Sequence, residues 1–90
     1  MPKTEVGDII SVFCPYDRNE VVLCGDASWN HLTKTWDEER LDGKRLYVLP
    51  GTLGLVVGFV DFDGDSCPVV WISSHERLGW FWSREVELVQ

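Results

Sequence analysis

The run "TLGLVVGFVDF", Thr52 to Phe62, constrains this chain more than any other stretch. Large apolar side chains recur at every second position: Leu53, Leu55, Val57 and Phe59. A period of two is the signature of a strand. It predicts that this set faces a core while Thr52, Gly54, Val56 and Gly58 line the opposite face. Two glycines in one strand predict sharp bending or the close approach of another backbone, as at the corner of a small barrel.

Similar short runs flank it. "VGDIISVF" (Val6 to Phe13) is rich in β-branched residues and opens on a Gly-Asp turn signal, and "EVVLC" (Glu20 to Cys24) is a second apolar run. "CPYDRN" between them has the Pro, Asp and Asn of a turn. "KRLYVL" reads as a strand, and Pro50-Gly51 suits a type II turn, with proline at the first central position and glycine at the second. "DFDGDSCP" is a turn whose Gly64 supplies a positive φ; "VVWIS", "GWFWS" and "VELV" follow as strands, with "SHERLG" as a turn between the first two. Short strands at this spacing predict a mainly β protein, a small antiparallel barrel of about five strands.

Between Gly25 and Gly43 the pattern changes. "GDASWNHLTK" reads as a long loop. "TWDEERLDG" then carries Thr35 as an N-cap, Glu38 three residues on and Gly43 at a C-terminal stop, which predicts a two-turn helix over Trp36 to Leu41, anchored by Trp36. The expectation is a single domain over residues 1–90 with a loop and short-helix insert around 25–43.

Ninety residues suffice for one domain on a modest core. With 44% hydrophobic residues and 26% charged, the chain does not have the composition of a disordered tail. The longest apolar runs fall well short of a membrane span and the N-terminus shows no signal-type stretch, so a cytoplasmic protein is expected. The net charge is −7, the opposite of the balance in proteins that neutralise phosphates, and Lys44-Arg45 is the only adjacent basic pair. Direct nucleic-acid or anionic-membrane binding is therefore not expected.

The three cysteines, Cys14, Cys24 and Cys67, form no C-x-x-C or C-x-H pair, so no zinc site or redox dithiol is signalled and reduced, half-buried thiols are expected. Asp61, Asp63 and Asp65 in "DFDGD" look like the start of a calcium loop. The twelfth position, which needs a bidentate glutamate, is Ile72, and Pro68 interrupts the segment. No family signature surrounds His31, His75 or any cysteine, and "GTLG" opens a strand where a phosphate loop would open a helix. No cofactor, metal or catalytic residue is assigned.

The C-terminal forty residues resemble the second half of a Src-homology-3 domain, in which a hairpin strand with an early tryptophan leads to "G-x-[FI]-P-S-N-Y-V-x-x-[LIV]". Here Trp71 stands in the hairpin strand and "GWFWSREVELV" aligns through Gly79, Phe81, Ser83 and Val86. The resemblance implies an SH3-like barrel with Phe81 in its core. It does not extend to the proline-peptide groove: Trp82, Arg84 and Glu85 stand where that family places Pro, Asn and Tyr, and only Tyr16 and Asp17 stand for its early aromatic segment. The "V-x-W…W-F…E-x-E-x-V" ending also resembles short proteins of phages and mobile elements.

On a strand, Trp80 and Trp82 share the face opposite Phe81. Either the 25–43 insert covers them or they form a docking patch, with Trp82 as hot spot beside Trp80, Arg84 and Trp29. The sequence therefore favours a non-enzymatic protein–protein interaction module that docks an unidentified protein partner through these residues, and a homodimer through the same face is a further option. One rival is an acidic inhibitor in which Asp61, Asp63, Asp65, Glu85 and Glu87 imitate phosphates. Another is a small metal protein or enzyme.

Overall fold

The computed structural model describes residues 4–13, 22–39 and 46–89, and these are mainly β. Five strands form one antiparallel sheet: β1 (Ile9–Val12), β6 (Leu53–Phe62), β7 (Asp65–Ile72), β8 (Arg77–Trp80) and β9 (Val86–Leu88). Their order is β8-β7-β6-β1-β9. The long excursion between β1 and β6 holds two smaller pairings, β2 (Val22–Cys24) with β5 (Leu46–Val48), and β3 (Asp26–Asn30) with β4 (Thr35–Glu39). The turn expected at Cys14–Asn19 lies outside the described residues, as do Arg40, Leu41 and Gly43.

Turn chemistry sets the hairpins. At the β6–β7 turn Asp63 and Gly64 both have positive φ, 52° and 80°, the pair of left-handed residues that a two-residue hairpin loop demands. Gly51 has φ 94°, and the Thr52 N–H donates to the Leu49 carbonyl at 3.2 Å, closing the turn expected at Pro50-Gly51. β7 begins earlier than "VVWIS" and takes in Pro68, which sits one step beyond the last β7–β8 partners, Val69 and Trp80. The strand expected over "GWFWS" stops at Trp80; a 3-10 turn (Ser83–Glu85) then leads into β9.

No α-helix forms at Trp36. Thr35–Glu39 is β4, paired with β3 from Asn30↔Thr35 to Asp26↔Glu39, so both the expected helix and the expected loop before it are corrected to one hairpin. Asn30 governs its turn: the side-chain oxygen accepts from the N–H groups of Leu32 and Thr33, and Lys34 takes φ 55°. The Thr35 hydroxyl, expected to cap a helix, shares a 2.6 Å hydrogen bond with Thr33. A helix cap contributes about 1 kcal/mol. Stacking Trp36 on Trp29 and laying it against the sheet outweighs that.

Two apolar clusters lie on opposite faces of the sheet. On the inner face Ile10, Val12, Val56, Val70, Ile72 and Phe81 pack with Val48 of β5, and Phe81 is fully buried as expected. On the other face Val60, Cys67 and Val69 are covered by Ala27, Trp36, Val57, Trp80 and Trp82.

The alternation expected along β6 is only partly correct. Leu53 and Leu55 are exposed, whereas Val56 is buried in the inner core. A β-bulge explains this: Val56 pairs with Val70 but Gly58 pairs with Val69, leaving Val57 as an extra residue. The extra residue exchanges the two faces. Before it, Gly54 and Val56 point inward; after it, Phe59 packs on the inner core while Gly58 and Val60 turn to the second face.

Candidate functional site

Every one of the five tryptophans belongs to that second face. Strand register puts Trp71 and Trp80 there, because Leu78↔Trp71 and Trp80↔Val69 are partners two residues apart along β7 and β8. Trp36 reaches the face from β4, with its indole filling the space where Gly58 has no side chain. Trp29, its partner across the hairpin, meets it edge to face at 5.4 Å and is 42% exposed. Trp82, just beyond β8, meets Trp80 edge to face at 5.6 Å.

The insert covers part of this surface. Gly25 and Trp80 exchange backbone hydrogen bonds of 2.9 and 2.8 Å, and the Trp80 indole lies directly against Gly25. Beside this bridge an ion pair of 2.8 Å between Arg77 and Asp26 ties β8 to β3. Trp80 is half-buried beneath the insert, and Trp82, packed on Trp80 and the Val60, Cys67 and Val69 cluster, is half-buried as well. The Arg84 guanidinium stands 5.2 Å from the centre of the Trp82 ring, a cation–π stack on an exposed arginine. Thus Trp80, Trp82 and Arg84 are contiguous, and Trp29 joins them through Trp36 and the shared cluster.

The five acidic positions have different surroundings. Asp61 and Asp63 are exposed near the β6–β7 turn. Asp65 accepts from the Ser83 hydroxyl at 3.0 and 3.2 Å. Glu85 accepts from the Trp82 N–H at 3.0 Å; burial nevertheless raises its pKa, against the opposing pull of that hydrogen bond and of Arg84. Glu87 lies apart on β9, opposite Ser11. Cys67 is fully buried, and desolvation, followed by the charges of Asp65, Asp61 and Glu85, pushes its thiol up to about 11. A thiol held protonated at neutral pH is a poor nucleophile. Among the described residues no three His, Cys, Asp or Glu side chains gather where they could hold a metal ion. No helix among them is long and apolar enough to cross a membrane.

An open cleft beside the hairpin is lined by Thr35, Trp36, Asp37, Val60 and Asp61. Sequence reasoning missed Trp36 as a site residue, because its contact, Gly58, is remote in the chain. It also missed the exposed side of β6. Gly54 and Gly58 share one parity in the sequence, so only the bulge between Val56 and Gly58 reveals that they serve opposite faces. No protein family, curated protein or solved structure matches this chain.

Proposed function

We propose that this protein is a non-enzymatic interaction module of the cytoplasm, an SH3-like barrel with a hairpin insert, that docks a partner protein through Trp82, Arg84, Trp29 and the accessible edge of Trp80. The observation that carries the reading is the segregation of tryptophan. The inner core is built from aliphatic residues and phenylalanine, while all five tryptophans lie on the opposite face with an arginine stacked on one of them. Tryptophan and arginine dominate the binding energy of protein interfaces. The barrel is supported by the antiparallel order β8-β7-β6-β1-β9, the bulge in β6, and the 3-10 turn that leads into the last strand.

The test is affinity capture from the source cells with wild type, Trp82→Ala and Arg84→Ala as bait, at about 0.1 M and about 1 M salt. The proposal expects a protein that wild type retains at both salt concentrations and that Trp82→Ala loses. A partner that survives Trp82→Ala but is released by salt would instead favour the phosphate-imitating inhibitor, whose carboxylates depend on unscreened charge. Absence of any Trp82-dependent partner would count against docking at this face.

A further inference from the structure

The cleft beside the hairpin has a lining that selects a ligand. It encloses about 480 Å³ between β4 and β6. Its apolar lining is the Trp36 indole, met edge to face by Trp29, and Val60 of the outer cluster. Its polar lining is Asp37 from β4 and Asp61 from β6, with Thr35, whose hydroxyl is engaged by Thr33. Asp37 accepts from the Asn30 side-chain amide at 3.0 Å through one oxygen and keeps the other open. Neither carboxylate is in an ion pair with a described residue: Arg77 is committed to Asp26, and Arg84 stacks on Trp82. Carboxylates placed in one cleft without a counter-charge attract a cation. An indole among them adds the attraction that an aromatic face exerts on a guanidinium or ammonium group.

We propose that this cleft receives an arginine side chain of the docking partner, its guanidinium against Trp36 and between Asp37 and Asp61. The inference rests on the docking reading above and names the chemistry of that partner. Arginine suits the lining better than lysine. Its planar fork carries donors on more than one edge, so one group can meet a carboxylate from each strand and still stack on the ring. Its aliphatic stem is matched by Val60. The cleft also continues the dock, because Trp29, which packs on Trp36, is one of the docking residues. The net charge of −7 steers a basic segment toward the protein and repels an acidic one.

The test is a nuclear magnetic resonance titration of isotopically labelled protein with the peptide acetyl-Gly-Arg-Gly-amide, following the Trp36 indole N–H. The analogue with citrulline, of the same shape but uncharged, and the lysine peptide run beside it. Wild type should show a saturable Trp36 shift below about 20 mM, with citrulline at least about tenfold weaker and lysine about threefold weaker. Asp61→Asn should weaken the arginine peptide at least about fivefold. Glu87→Gln, the same charge change on β9, and Trp82→Ala should leave it as in wild type. Far-UV circular dichroism confirms folding, and Asp37→Asn, which keeps an acceptor for Asn30, gives a second reading if Asp61→Asn is unfolded. No saturable shift overturns the proposal, as does citrulline or lysine binding as tightly as arginine. So does an equal loss in Glu87→Gln, which would mean diffuse attraction to an acidic protein. A partner that depends on Trp82, together with no arginine shift, keeps the dock and loses the cleft; the reverse pair of results keeps the cleft and loses the dock.

Discussion

Gly54 and Gly58 look equivalent in the sequence, yet they make room on opposite faces. Gly54 admits Val70 on the inner side, and Gly58 admits the Trp36 indole on the other. A methyl group at either position overlaps its neighbour, so Gly54→Ala and Gly58→Ala should each lower stability by about 1–3 kcal/mol in urea unfolding. Only Gly58→Ala should also change tryptophan emission, because only it displaces an indole. Cys67 makes a second prediction at this scale. Its thiol titrates near 11 in the folded protein against 9.0 for an ordinary cysteine, so its contribution to stability is complete below about pH 9. Between 9 and 11 the unfolded chain releases the proton first, and that contribution is lost as the pH rises. Wild type should therefore lose more stability than Cys67→Ala across this interval. Parallel pH profiles of the two would contradict the assignment.

At the scale of elements the β3–β4 hairpin acts as a cover, and Trp36 holds it down. Trp36→Ala should destabilise by about 2–3 kcal/mol, less than for a fully buried ring. It should also make the remaining tryptophans more accessible to acrylamide. Unchanged quenching would mean that the hairpin covers nothing. Much of the sheet was legible in the sequence because its signals are local: β-branched runs, Pro50-Gly51, Asp63-Gly64, and Phe81 between two tryptophans. The hairpin was not, since Thr35 and Glu38 satisfy a helix-capping pattern while the contact that decides the outcome, Trp36 on Gly58, is made between distant parts of the chain. The face of β6 was misassigned for a related reason. Alternation assumes an unbroken ladder, and the extra residue at Val57 interrupts it without leaving a mark in hydrophobicity. Of the four residues named from sequence, Trp80, Trp82 and Arg84 adjoin one another, while Trp29 reaches them only through Trp36. The exposure of Leu53 and Leu55 had no sequence signature.

For the whole molecule, one sheet separates two kinds of apolar surface. The inner face is closed by Phe81, Val48 and their neighbours, and the outer face is tryptophan-rich and partly open. The division of the outer face can be tested most directly by measuring how a soluble gadolinium chelate relaxes the protons of the five indole rings in a dilute, monomeric sample. Trp29 and Trp71, 42% and 38% exposed, should relax fastest, with Trp36, Trp80 and Trp82 slower beneath or beside the hairpin. A Trp71 as shielded as Trp80 would contradict the account, because it would put Trp71 and Leu55, its partner on β6, inside the protein.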